Sequence, residues 1–173
     1  TGSNYNNSYG VPSGTYANNY AYNTIRKWLN GTFYNTAFNE LQKQIILTTT
    51  VDNSAATTNS STNQYACENT EDKIFLLSYQ DIINSNYGFS SSYSDCDAAR
   101  QKKTTDYAQA QGAYTAGYRG NWWLRSPISG RSSAAYYVNS SGHTESTYVY
   151  STSCGVVPAL QIRLFDVFHN CTD

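Results

Sequence analysis

The chain has 173 residues, a charged fraction of 13% and a formal net charge of -1. That length holds one core of ordinary size, and such sparse, balanced charge lacks the basic footprint that a phosphate backbone or an anionic membrane requires. Seventeen Tyr beside abundant Asn, Ser and Thr, with no apolar run near the ~20 residues of a membrane span, give a surface kept in water by neutral polar groups and suited to contact with proteins or sugars.

Residues 1–20 are rich in Asn, Ser, Gly and Tyr without periodicity, so they read as an irregular lead-in to a single domain over 21–173. The abrupt opening, with neither Met nor a basic-then-apolar leader, is that expected of a piece of a longer protein. Thr24 is placed to cap a helix in which Ile25, Trp28 and Leu29 recur at helical spacing, and Gly31 supplies its end. Phe33, Ala37, Phe38, Leu41 and Ile45 continue the apolar stripe into a second helix, broken near Asn39, before LTTTVDN turns β-like. The polar tract from Val51 to Thr70 cannot bury enough apolar area to order itself and is expected as a surface loop.

Lys73 to Leu77 form a short core strand, and Ser78 caps a brief helix over YQDIIN. A polar loop from Ser90 to Gln101 leads to Thr104 and Thr105, either of which can cap a third short helix carrying Asp106 in its first turn, where the helix dipole favours an acid.

Strand signals then take over. Asn121 to Arg125 read as one buried strand; neighbouring strand residues face opposite ways, so at most one of Trp122 and Trp123 is exposed, and both are expected in the core. Arg125 at the strand end reads as a tie to a neighbouring loop. Ala134 to Val138 and Glu145 to Tyr150 alternate on either side of NSSGHT and predict a β-hairpin; GVVPALQIRL closes the chain, with Pro158 at an edge or bulge. Helices first and antiparallel strands last make an α+β domain, early helices packed on a twisted antiparallel sheet with long irregular loops.

Cys67, Cys96, Cys154 and Cys171 contain no CxxC pair, so disulfides are a better reading than a zinc site. Cys67 and Cys96 flank the compact segment TEDKIFLLSYQDIINSNYGF and are the expected pair; four reduced thiols are the alternative. His143, His169, Asp166, Glu145 and the cysteines form no catalytic spacing, and no glycine-rich phosphate loop is present, so no enzyme activity is expected. Asp95 and Asp97 stand two apart beside Cys96, too few ligands for a calcium site, and no cofactor or metal is expected.

The blocks TIRKWLNGTFYNTAF, TEDKIFLLS, TDYAQA, WWLRSP, AAYYVNSSG and GVVPAL, in this order between about Tyr20 and Leu164, resemble a family of Gram-positive bacterial domains known by sequence more than by activity. That family is similar to the C-type-lectin-like fold, alongside the formylglycine-generating enzyme relatives and the variable proteins of diversity-generating retroelements. The resemblance implies a C-type-lectin-like domain with a diversified tract near the C-terminus, where adenine-directed mutation turns Asn codons into Tyr, Ser, Thr, Asp, His, Gly and occasionally Cys. HTESTYVYSTSC has that palette, with Val149 as its fixed point. Val157 departs from the family, which usually carries Arg there, and no local motif matches the reactive cysteine pair of the formylglycine-generating relatives.

The expected contact residues are Arg131, Tyr136, His143, Glu145, Thr147, Tyr148, Tyr150, Thr152 and Ser153, in which Tyr supplies rigid area and its neighbours adaptable hydrogen bonds. An ordinary polar sheet face shows the same alternation. The reading is a ligand-binding module for a protein ligand, with a carbohydrate-binding module of a secreted or cell-surface bacterial protein as the alternative. Neither nucleic acid nor membrane insertion is expected. Extracellular or cell-surface placement within a longer chain is the expectation, against phage-associated or cytoplasmic placement.

Overall fold

A computed structural model describes residues 12 and 14–164 as a mixed α+β chain with short helices and antiparallel sheets. His169, Asp166 and Cys171 lie outside the described residues. Among the described residues no helix is long and apolar enough to cross a membrane.

The first helix begins one residue earlier than its sequence signal. Asn23, not Thr24, is the cap: its side chain accepts from Arg26 N at 2.6 Å and opens α1 (Thr24–Trp28). Gly31 does not end the helix. It keeps a helical backbone inside a single π turn (Leu29–Phe33) that runs directly into α2 (Tyr34–Ala37), and the break falls at Phe38 instead. Asn39 and Gln42 exchange reciprocal cap bonds of 2.9 Å and start α3 (Glu40–Ile45). Ile25, Leu29 and Tyr34 face the core, whereas Leu41 is 74% exposed, so the apolar stripe does not continue through α3.

The polar tract after β1 (Thr49–Val51) is built into the domain rather than laid over it. Asn53, Thr58 and Asn63 are buried, and they bond Glu68 O, Ser60 O and Pro127 O at 3.1, 2.9 and 2.9 Å. Backbone acceptors that a loop would leave to water are met by amide and hydroxyl groups, which is how a tract with little apolar area becomes ordered. It returns as β2 (Thr70–Asp72), antiparallel to β1. Lys73 to Leu77 then form no ladder of their own. Ile74 and Leu76 are fully buried, and Phe75 exchanges a pair of backbone bonds with Ala159. Ser78 N donates to Asp81 Oδ2 and Asp81 N to Ser78 Oγ, so Ser78 makes the reciprocal bonds of a cap, but the 3-10 turn Asp81–Ile83 itself begins after Gln80, whose side chain makes no cap bond.

Thr105 is the cap of α4 (Asp106–Ala110), through Ala108 N at 3.1 Å. The larger sheet is organised on β5 (Arg119–Pro127). β3 (Lys102–Lys103) and β4 (Thr115–Ala116) pair antiparallel with its start, and β6 (Ala134–Val138) pairs antiparallel with its second half. β7 (Thr144–Tyr148) adds to β6, and β8 (Cys154–Gly155) runs parallel to β5 at Asn121 and Trp122. Both tryptophans are buried, as expected, but on opposite faces. Trp123 joins Tyr20, Ile25, Leu29, Ile74, Leu76, Ala135 and Val149, while Trp122 and Leu124 join Ile82 and Val138.

Arg125 ties the strand to its surroundings. It donates to Leu76 O and Asp81 Oδ2, both at 2.7 Å, and to Asp52 O. Asn18 and Tyr20 are already part of the fold: Asn18 Nδ2 donates to Arg131 O and Ala134 O at 2.9 Å, and Tyr20 fills the main core.

The expected Cys67–Cys96 disulfide is not formed. Cys67 packs half-buried against the Trp123 core, while Cys96 is exposed, its thiol 3.7 Å from Ser141 Oγ at the β6–β7 turn; both are free. The segment between them is no compact hairpin, since it threads Ile74 and Leu76 through one core and Ile82 through the other.

Candidate functional site

The register of β6 and β7 decides which side chains share a surface. Tyr136 is opposite Ser146 and Ala134 is opposite Tyr148, so Tyr136, Ser146 and Tyr148 lie on one face. Tyr137 opposite Glu145 and Ala135 opposite Thr147 place Glu145 and Thr147 on the other. The expected contact residues are thus divided by the sheet.

Glu145 is committed within the hairpin. Its carboxylate accepts from Tyr137 Oη at 2.6 Å and from Asn139 Nδ2 at 2.5 Å. Burial and the Glu145 charge and hydrogen bond push the Tyr137 phenol well above its ordinary value, so it remains a neutral donor.

Tyr148 and Tyr150 stack face to face, ring centroids 5.1 Å apart and planes 9° apart, with exposures of 45% and 63%. Val149 between them is buried in the Trp123 core and donates its N–H to Ser133 O, so the intervening residue pins the pair. A turn closed by Ser151 N to Tyr148 O, at 2.9 Å, brings Tyr150 back over Tyr148. On the same sheet face Tyr136 packs 4.8 Å from Tyr79, which in turn lies 6.1 Å from Tyr93. Burial lifts the Tyr79 phenol to about 12, with Tyr136 and Tyr93 adding to the shift, and burial raises Tyr136 as well. Tyr93 itself is 57% exposed. Tyr79 opens the predicted YQDIIN helix and Tyr93 falls in the predicted polar loop, and no periodic signal marks either as part of the surface.

The remaining expected residues flank this face. His143 sits half-buried in the β6–β7 turn, where Asn139 Oδ1 accepts from His143 N, Ser141 N and Ser141 Oγ. Arg131 is exposed at the opposite end of β6. Ser153 and Thr152 leave toward the loop after α4, where Tyr114 N donates to Ser153 O at 2.8 Å.

The hairpin is held from beneath by a loop that the sequence presents only as polar. Gly142, at φ +85°, lies so close to this loop that a Cβ there would stand 2.1 Å from Asp97 O. Arg100 is fully buried and gathers the loop: its guanidinium donates to Ile82 O, Ser90 O and Ser92 O at 2.8, 2.6 and 2.7 Å, while Trp122 Nε1 donates to Arg100 O. Gln101 Nε2 adds a bond to Ser141 O at 3.0 Å. The tyrosine face is therefore carried by a hairpin fixed at its turn, along its strands and at Val149.

Among the described residues no three His, Cys, Asp or Glu side chains stand together in a metal-binding arrangement. Burial pushes the Cys154 thiol up to about 12, which the Ser153 hydroxyl only partly opposes, so it is a packed core group and not a ready nucleophile. A shallow cleft between β3, α4 and β8 is lined by Lys102, Lys103, Thr105, Ala108 and Val156.

Neither a curated protein nor a solved structure matches the chain. One family model does, that of a domain of unknown function (DUF6273), over residues 4–164. The match spans both cores, the β5 scaffold and the tyrosine face together, and the chain belongs to the DUF6273 family.

Proposed function

We propose that this domain is a non-enzymatic recognition module, a C-type-lectin-like α+β scaffold whose C-terminal hairpin presents a retroelement-diversified tyrosine surface to a protein ligand. The observation that carries the reading is the exposed Tyr148–Tyr150 stack on a buried Val149. Aromatic rings fixed before binding lose little conformational entropy on contact, and such residues are the ones that dominate binding energy. Tyr136, Ser146 and Tyr93 extend that surface with further phenol and hydroxyl groups. The exposed and half-buried Tyr, Ser, Thr and His residues around the buried Val149 also support diversification, since changes there alter the surface, whereas Thr144 and Cys154 of the same tract are buried. Extracellular or cell-surface display as part of a longer chain suits this function.

The second reading, a carbohydrate-binding module, draws on the same stack, because an exposed tyrosine face also accommodates the apolar face of a sugar ring. A glycan array separates the two. Selective glycan binding lost in the Tyr148→Ala/Tyr150→Ala variant assigns the sugar reading. Absence of glycan binding, with loss by that variant of binding to an immobilised protein ligand at unchanged melting temperature, assigns the protein reading. A large drop in melting temperature would show that the two rings are structural and overturn both. Diversification has its own test: a reverse-transcriptase gene beside this one, with a near-copy of the codons for residues 121–160 differing mainly at adenines.

A further inference from the structure

We propose that Lys103, Tyr118 and Arg119 form a docking site for an acidic segment of the protein ligand, a proposal that rests on the recognition reading above and names the chemistry of part of its partner. The site is made by strand pairing. β4 and β5 form a tight hairpin, with Thr115 opposite Gly120 and Ala116 opposite Arg119, and Gly117 at φ +66° turns the chain so that Tyr118 stands at the tip. On the other edge of β5, β3 places Lys103 directly opposite Arg119. Two cations in directly opposed positions repel one another, and such pairs are ordinarily avoided or neutralised. Here neither forms an ion pair among the described residues, whose salt bridges join Arg26 to Asp72, Lys43 to Glu40, Arg100 to Asp97 and Arg125 to Asp81.

Both cations lean instead on one ring. Lys103 Nζ lies 5.6 Å and Arg119 Cζ 5.1 Å from the Tyr118 centroid, and Arg119 Nη2 donates to Tyr118 Oη at 3.3 Å. Because the phenol oxygen accepts from Arg119, its proton is left to donate outward. An ammonium, a guanidinium and a phenol hydroxyl thus converge, all donors, on a tip where Tyr118 is 58% exposed. The complementary group is a carboxylate, and two neighbouring carboxylates would cancel the Lys103–Arg119 repulsion.

An acidic peptide fits better than an acidic sugar or a nucleic acid. The chain's own cations sit over the Tyr118 ring where a sugar or base would stack, and a patch of two cations in a chain of net charge -1 cannot follow a phosphate backbone. The site also adjoins the recognition tract, since Tyr114, which leads into β4, is hydrogen-bonded to Ser153 O.

The test uses the native domain and a fluorescein-labelled hexaglutamate peptide, read by anisotropy, with hexalysine and oligogalacturonate as comparison probes. Expected are binding of hexaglutamate at low salt, its loss at about 0.5 M NaCl, and at least about tenfold weakening in Lys103→Gln/Arg119→Gln. Circular dichroism of that variant checks that the fold is intact, and Tyr118→Phe, which keeps the ring and removes the hydroxyl, should weaken binding less. Equal hexaglutamate affinity in the double variant, or tighter binding of oligogalacturonate than of hexaglutamate, overturns the proposal. The Tyr148→Ala/Tyr150→Ala variant should retain hexaglutamate binding, so failure of the tyrosine face and failure of this site give different results.

Discussion

Trp122 and Trp123 are consecutive residues of β5, yet each is buried in a different hydrophobic cluster, Trp122 with Leu124, Ile82 and Val138 and Trp123 with Leu29, Leu76 and Val149. The strand is thereby a partition with a large ring on either side, as the alternation of side chains along extended backbone demands. Trp123→Ala should cost about 3–5 kcal/mol of unfolding free energy by urea titration, the usual range for emptying a buried Trp site. Trp122→Phe keeps most of the packing but removes the donor to Arg100 O, so it should loosen the loop around Ser90–Ser92 more than the rest of the domain, seen as faster amide exchange there. Uniform acceleration across the domain would count against the partition.

Gly142→Ala tests whether the hairpin turn is clamped to the loop beneath it. The substitution combines a left-handed backbone with a Cβ driven into the Asp97 carbonyl, a backbone atom that cannot step aside alone. A loss of about 2–4 kcal/mol is expected, against about 1–2 kcal/mol for Gly130→Ala, which carries the left-handed strain alone because Gly130 at φ +86° meets nothing within 4 Å. Equal losses at the two positions would show that strain, and not contact with Asp97, governs the turn.

Arg100→Met should destabilise the domain by about 3 kcal/mol or more, because Ile82 O, Ser90 O and Ser92 O lose their shared donor. Limited proteolysis should then cut between residues 84 and 97 in the variant and spare that loop in the native chain. Resistance of the variant would mean that the loop is held by other contacts.

Acid stability follows from three carboxylates. Burial pulls Asp81 up, but the Arg125 guanidinium and the Ser78 bonds outweigh it and hold the group below its ordinary value. Asp97 is lowered chiefly by the Ser90 N–H, with Ala99 N–H and Arg100 assisting. A depressed folded-state pKa contributes stability above the unfolded value of about 3.9 that is lost as pH falls through the folded one. Asp72 acts in the opposite sense: burial raises it against the Thr70 hydroxyl and Arg26, so proton uptake by the folded state offsets part of the loss. Urea midpoints measured between about pH 4 and pH 2 should fall less steeply in Asp81→Asn than in the native chain, although the variant is weaker at neutral pH. An unchanged slope would remove Asp81 from the account.

Thiol reactivity separates the three described cysteines, Cys67, Cys96 and Cys154, without any ligand. Cys96 is exposed and should be modified first by an aromatic disulfide reagent at mildly alkaline pH. Cys67, raised by burial, should follow slowly, and Cys154, lifted to about 12 and buried, should react only with the unfolded chain. Peptide mapping that recovers Cys67 joined to Cys96 would contradict the arrangement.

What the amino-acid order determined by itself was local. Alternation in AAYYV and TESTY, the Asn and Gly of the turn between them, a cap at Thr104 or Thr105, the break beside Asn39 and the burial of Trp122 through Arg125 all follow from short-range stereochemistry and hydrophobic pattern. The helix past Gly31 escaped that reading because a glycine can end a helix but need not, and here the face bearing Leu29 and Tyr34 stays buried across the π turn. The tertiary structure decided the rest. Only folding matched the buried Asn53 and Asn63 to distant carbonyls, placed Arg100 under the loop, sent Cys67 and Cys96 to different neighbours, and put Lys103 against Arg119. The candidate surface divides along the same line. Its tyrosines were visible as composition, but which of them share a face depends on strand register and on the turn that returns Tyr150 over Tyr148, and both are set by contacts remote in sequence, such as Val149 beneath Ser133 and Gly142 against Asp97.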